Sequence, residues 1–316
     1  MNHVLRFLKD WALPVSMAVG IAAYFLFEAL PLTPRIHTLA RQGVGIVQPA
    51  LIFCMLFLSF CKVDPAKIRL RRWHLWLALI QSGSFILMAL FIRYSHCSQN
   101  MQILIESAMI CLICPTATAA VVVTDKLGGN MAAIVTYTMI ANIMTALVAS
   151  LFIPMISPEA EISFIKAFSA IIVKVFSLLV MPLILAVAVR YLLPGLHRLV
   201  LKTKDLAFYL WTVGLALALT VTTRSIVHST VPVVFIIGIG IISLLCCIFQ
   251  FRTGWAVGRR YNDQITAGQA LGQKNTIFII WMAYTFMNPV TAVAGGLYSI
   301  WHNLINSWQL YKKRNV

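Results

Sequence analysis

The sequence predicts an all-α membrane protein, with ten transmembrane helices arranged as two inverted five-helix repeats in one polytopic domain. Three observations predict it. Of 316 residues, 60% are hydrophobic and only 11% charged, where a soluble domain carries roughly a quarter charged. The apolar runs are each about as long as a bilayer is thick, about 20 residues. Two of these runs are interrupted, one by Cys114-Pro115-Thr116-Ala117-Thr118 and one by Gly268-Gln269-Ala270-Leu271-Gly272-Gln273-Lys274-Asn275. Backbone groups cannot stay unpaired in lipid, so broken helices survive only inside protein or beside water. Broken helices in corresponding halves point to the binding site of a secondary transporter.

The spans fall at roughly 11–31, 40–61, 73–94, 102–126, 131–154, 165–192, 205–226, 231–256, 266–287 and 290–311. Breakers separate them: Pro31 and Pro34, Asp64 and Pro65, Gly128-Gly129-Asn130, Ser157-Pro158-Glu159, Pro194-Gly195, and Asn288-Pro289. The interrupted spans are the fourth and the ninth, the equivalent members of 1–154 and 155–316. Five spans per half is an odd number, so the second half starts from the opposite side of the membrane. No sequence identity links the halves. The first run has no small-residue cleavage site after a short apolar core, so it is expected to be a mature span and not a signal peptide.

The net charge of +16 follows topology. With a cytoplasmic N-terminus, 18 of the 25 Lys and Arg residues fall in inside segments and five (Arg35, Arg41, Arg93, Lys166 and Arg224) outside. Lys174 and Lys274 lie within spans. This split places both termini in the cytoplasm of a cell (inner) membrane. It assigns the basic charge to anionic lipid in the bilayer, not to nucleic acid. Cys111 and Cys114 have CxxC spacing but no nearby histidine, which favours packing over a metal site. No cofactor is expected. The absence of nucleotide motifs disfavours ATP-driven transport, and the absence of HExxH, GxSxG or a paired-aspartate motif disfavours an intramembrane enzyme.

Four stretches resemble the bile acid:sodium symporter family. Ala50–Phe60 with Lys62-Val63-Asp64 is similar to that family's second helix and exit loop. Cys114-Pro115-Thr116-Ala117-Thr118-Ala119 with Gly129-Asn130 resembles its first crossover, and Thr266, Gly272 and Asn275 fit its second without a gap. Ser299-Ile300-Trp301-His302-Asn303 is similar to its last-helix S-V-W-H-N. The resemblance implies core and panel domains, with helices 4 and 9 crossing in the core. It also implies alternating-access transport of a small organic anion in the cleft between the domains.

The departures from that pattern bear on the coupling ion. On the resemblance, Ala120, Val121, Ile134 and Ala270 stand where the family has sodium ligands, and Lys274 replaces a glutamine. Gln81 and Thr138 are retained polar positions. Methyl and isopropyl groups offer no oxygen to a hard cation, and an ammonium repels one. Sodium independence is therefore expected. A one-residue shift would instead bring Gln269 and Gln273 onto ligand positions, at the expense of the Gly272 and Asn275 matches.

Lys274 is the sharpest residue, because a mid-membrane charge is costly and by default functional. Its ammonium is expected near Gln81, Thr138 and the free carbonyls of the broken helices, with Thr118, Gln269, Gln273 and Asn275 completing the crossover. Either it is a fixed structural cation, or it loses its proton during the cycle and couples transport to protons. Lys174 and Glu106 are candidate cavity charges. Trp281 and Tyr284 are assigned to packing or the membrane interface, and Trp301, His302 and Asn303 to packing against the ninth span. A receptor or sensor that keeps the carrier fold is the alternative function.

Overall fold

The computed structural model describes residues 12–31, 33–62, 66, 68–95, 97–156, 164–203 and 206–314. Arg6, Lys9, Asp64, Pro65, Lys67, Lys204 and the Ser157-Pro158-Glu159 breaker lie outside the described residues. Among those described, the elements are helices joined by short links: α1 (Ala12–Ala29), α2 (Pro34–Cys61), α3 (Arg72–Tyr94), α4 (Gln99–Ile113), α5 (Ala120–Leu127), α6 (Met131–Ile156), α7 (Phe164–Leu179), α8 (Met181–Leu192), α9 (Pro194–Lys202), α10 (Leu206–Val227), α11 (Val233–Arg259), α12 (Gln264–Gly272), α13 (Thr276–Phe286), a 3-10 turn (Pro289–Thr291) and α14 (Ala292–Arg314).

Each boundary has a local cause. Pro34 and Pro194 open α2 and α9 at positions where a missing N–H costs nothing. Gly128 ends α5 in the left-handed region, with φ of 81°. The side-chain oxygen of Asn275 accepts from the Phe278 N–H at 3.2 Å and caps α13. Asn288 likewise accepts from the Val290 N–H and sets the 3-10 turn.

Among the described residues five helices are long and apolar enough to cross a membrane, or six if the bent pair α7 and α8 is counted as one span. The fourth and ninth predicted spans are each cut in two. α4 and α5 together fill the fourth, and α12 and α13 the ninth. No half is long enough alone, because the breaks fall where the sequence places proline, glycine and amides. Large apolar side chains such as Leu79, Leu87, Val233 and Leu245 are exposed, while Gln81, Asn142, Gln250 and Lys274 are buried. A polar interior inside an apolar exterior is what lipid demands.

Two groups of helices pack internally. α1 lies on α10, and α2 on α8 and α10. α3, α4 and α6 form a second group with α11, α12 and α14. The contact between α11 and α12 is the most intimate: a Cβ on Gly254 would sit 2.5 Å from the Ala267 carbonyl oxygen, and one on Gly258 would sit 2.6 Å from Ala267 Cβ. This four-residue glycine spacing lets two backbones meet.

Candidate functional site: a crossover of two broken helices beside a cationic cavity

The two breaks meet. Thr116 and Lys274 form an isolated antiparallel bridge. The Ala117 N–H donates to the Gln273 carbonyl at 2.9 Å, and the Asn275 N–H to the Pro115 carbonyl at 3.0 Å. Each broken strand thus satisfies the other's backbone, as a non-aqueous setting requires.

The end of α4 leaves carbonyls that its own helix cannot bond, because Pro115 has no N–H. Four side chains reach them, three from other helices and one, Lys274, from the break between α12 and α13. Gln250 Nε2 donates to the Cys111 carbonyl at 3.1 Å, and Lys274 Nζ to the Leu112 carbonyl at 3.3 Å. The Thr145 hydroxyl donates to the Ile113 carbonyl at 2.8 Å. Gln81 Nε2 bridges the carbonyls of Ile113 at 2.7 Å and Cys114 at 3.1 Å. The end of α12 is treated alike: the Thr116 hydroxyl donates to the Ala270 carbonyl at 2.6 Å and the Tyr298 hydroxyl to the Gly272 carbonyl at 2.8 Å.

Lys274 is fully buried. Besides Leu112, its ammonium donates to Gln81 Oε1 at 3.2 Å, an oxygen that also accepts from the Tyr137 hydroxyl at 2.9 Å. It has no carboxylate partner among the described residues. Its counter-charge is the negative end of the α4 dipole, where a cation is favoured.

Of the other predicted crossover residues, Asn275 serves as the α13 cap and Gln81 as the hub just described. Thr138 does not join Lys274: its hydroxyl donates to the Ile134 carbonyl of its own helix at 2.9 Å. Thr118 is half-buried in the turn before α5. Gln269 points away toward α14, donating to Asn306 Oδ1 at 3.0 Å. Gln273 is buried with no partner for its side-chain amide among the described residues. Ala120, Ile134 and Ala270 are fully buried in a single apolar cluster with Val121 packed against it. Cys111 and Cys114 point to different carbonyls, those of Ala294 and Asn275.

Beside the crossover lies a cavity of about 1190 Å³, walled by α1, α2, α7, α10 and α13. Arg41, Lys174, Arg224 and His37 line it, with Glu28 as its lining carboxylate. Lys174 Nζ also sits 5.6 Å from the centre of the Phe286 ring. The rest of the wall is mainly apolar, with Phe27, Phe53, Pro49 and Val173 among its residues and Gln48, Ser177, Thr220 and Thr285 as polar points. Gln48 lines the cavity and donates to the Ile277 carbonyl at 3.3 Å, three residues beyond Lys274. Gln48 therefore ties the cavity wall to the first turn of α13, while Trp281, Tyr284 and Thr285 of its later turns line the cavity itself.

Two assignments change. Glu106 is not at the cavity. It is buried in the bundle, where Gln102 Nε2 at 2.7 Å and the Thr291 hydroxyl at 3.2 Å donate to its carboxylate. Trp281 packs in the apolar core as expected, against Phe278 and Phe286, and with Tyr284 it also lines the cavity, because α13 turns that face toward α2 and α10. Trp301 packs against α11 and not the ninth span, donating to the Ser243 hydroxyl at 3.0 Å.

Thr116, Tyr137, Thr145, Gln250 and Tyr298 were missed. All but Thr116 are polar residues inside apolar spans, which is the signal that marks them. No protein-family model and no curated protein matches the chain.

Proposed function

We propose that the chain is a ten-span secondary carrier of an organic anion, similar to the bile acid:sodium symporters but independent of sodium. The cavity carries this reading. Three basic side chains and one carboxylate line a mainly apolar wall, a lining suited to an anion with a hydrophobic body. The cavity's wall along α13 and the Gln48 hydrogen bond to the Ile277 carbonyl give bound cargo a mechanical link to the crossover.

Two further observations support the inverted repeat. Gln81 on α3 meets the hydroxyl of Tyr137 on α6, and Gln250 on α11 meets that of Tyr298 on α14 at 2.9 Å. In the ten-span order these are spans 3 and 5, then 8 and 10, so each half builds the same pair. The contacts of α1 with α10 and of α8 with α2 exchange in the same way. Sodium independence is supported by the methyl-filled cluster at Ala120, Ile134 and Ala270. In this reading both termini are cytoplasmic and Lys274 stands in for the ion.

The test is flux into proteoliposomes of a panel of organic acids, a conjugated bile acid among them, with sodium exchanged for choline at constant ionic strength. Saturable uptake unaffected by the exchange is expected. A sodium requirement would refute the independence. Saturable binding of an acid without flux would favour a receptor that keeps the fold.

A further inference from the structure

The face of α12 turned away from the apolar cluster carries a second polar system. Tyr298, His302, Asn306, Gln309 and Lys313 follow one another at three- or four-residue steps along α14, so they share one helix face. Tyr298 reaches the crossover through the Gly272 carbonyl. At the other end, Lys313 Nζ lies 2.8 Å from where a Cβ on Gly128 would stand, at the end of α5. Between them Gln269 Nε2 donates to Asn306 Oδ1 at 3.0 Å and to Gln309 Oε1 at 3.4 Å.

This system is far from satisfied. Eleven buried side-chain nitrogen and oxygen atoms lack a partner among the described residues, and seven of them belong to Thr124, Gln269, Gln273, His302, Asn306 and Gln309. Both side-chain atoms of Gln273 are orphaned, so no flip of its amide resolves it. Seven uncompensated groups together would cost about as much as the whole stability of a typical domain.

We propose that α5, α12 and α14 enclose a water-filled track, running from the C-terminal end of α14 to the crossover. The groups along it are amides, a hydroxyl and an imidazole, which offer donors and acceptors together, as water requires. No carboxylate is among them, and a lysine stands at each end, Lys274 and Lys313, so a bound metal cation is disfavoured. The track is separate from the large cavity. That cavity is lined by Arg224, near the end of α10 that leads into the start of α11. The track's outer end lies instead with Gly128, whose neighbour Gly129 packs on Thr266 just past the far end of α11. The 27 residues of α11 separate the two ends by about 40 Å. Solvent thus reaches the crossover from the side opposite the cavity, and Gln273, the residue before Lys274, is the inner end of the track. This function rests on the crossover geometry and on the carrier reading only for its use, so its test needs no cargo.

The test is cysteine labelling in membrane vesicles with a charged methanethiosulfonate reagent applied from each side, read by intact mass against the parent with its native cysteines. A thiol in water ionises and reacts, whereas one in apolar packing does not, so Asn306→Cys and Gln309→Cys should label about tenfold or more faster than the buried apolar control Ala294→Cys and the lipid-facing control Leu304→Cys. Labelling should be fast only from the side of the α14 C-terminus. Gln269→Cys reads the same track from α12 if Asn306→Cys does not accumulate. Rates at 269, 306 and 309 equal to that at 294 would overturn the proposal, as would equal rates from both sides.

Discussion

Removing the Lys274 side chain tests the crossover most directly. Lys274→Ala deletes three buried methylenes at about 0.8 kcal/mol each, about 2.4 kcal/mol in all. It also leaves the Leu112 carbonyl without a partner, at about 1–3 kcal/mol. Gln81 Oε1 keeps the Tyr137 hydroxyl and adds little. Relief from burying an unpaired charge acts in the opposite direction; the helix-dipole interaction of up to about 2 kcal/mol already offsets part of that cost. The expected loss is about 3–5 kcal/mol before this relief. Lys274→Met keeps the stem and loses only the polar part, about 1–3 kcal/mol. Lys274→Arg keeps the charge, but a planar fork fits poorly at a site shaped around a point donor. Thermal unfolding in detergent should rank parent, Met and Ala in that order, and flux should fall in all three variants. If Lys274→Ala unfolds and transports like the parent, the central role of the ammonium is wrong.

Two further outcomes follow from the packing. Asp263 accepts from Arg71 at 2.5 Å, from Trp73 Nε1 at 3.0 Å and from the Thr266 hydroxyl; Asp263→Ala orphans the buried Trp73 donor and should cost about 1–3 kcal/mol, a loss visible in the unfolding midpoint and absent if the contact is incidental. Gly254→Ala drives a methyl group into the Ala267 carbonyl and should destabilise by about 1–3 kcal/mol, while Gly195→Ala, with open space around it, should stay near parental in the same assay.

The elements legible in the sequence were those with a one-dimensional signal. Span length and the breakers placed α2, α3, α6, α10 and α11, and the proline and glycine positions marked both breaks. Lys274 stood out because a charge in an apolar run is rare. Its link to Gln81 followed from the resemblance, and the structure provides it at 3.2 Å. Thr138 was misjudged because a threonine in a helix interior has a nearby rival acceptor, the carbonyl four residues back. Glu106 was misplaced for a related reason. Hydropathy shows that a charge lies in a span but not which way its helix faces, and Gln102 and Thr291 hold Glu106 in the bundle. Trp281 and Tyr284 illustrate the converse, since an aromatic residue in a span looks the same whether it faces lipid, the core or a cavity. Gln250 and Tyr298 carry the signal of a polar group in an apolar span, but their pairing at 2.9 Å came only with the fold, because 1–154 and 155–316 do not resemble each other residue by residue.

A covalently held cation has an energetic consequence that a mobile ion does not. A sodium ion that binds on one side and leaves on the other contributes the free energy of its gradient; an ammonium on a lysine stem never leaves. In the proposed carrier Lys274 therefore holds the end of α4 through the whole cycle, and net movement of cargo depends on the cargo's own gradient or on a proton that Lys274 releases and rebinds. The water track would supply the path for that proton, since it approaches the crossover from the end of α14 while the cavity approaches from the other side. A mobile proton makes uptake depend on pH in the parent and removes that dependence in Lys274→Gln, which keeps a donor to Leu112 but cannot change charge. Flux measured across a pH series in both proteins separates the cases. Parallel pH profiles in parent and variant would rule out the proton switch and leave Lys274 as a fixed charge at the α4 terminus.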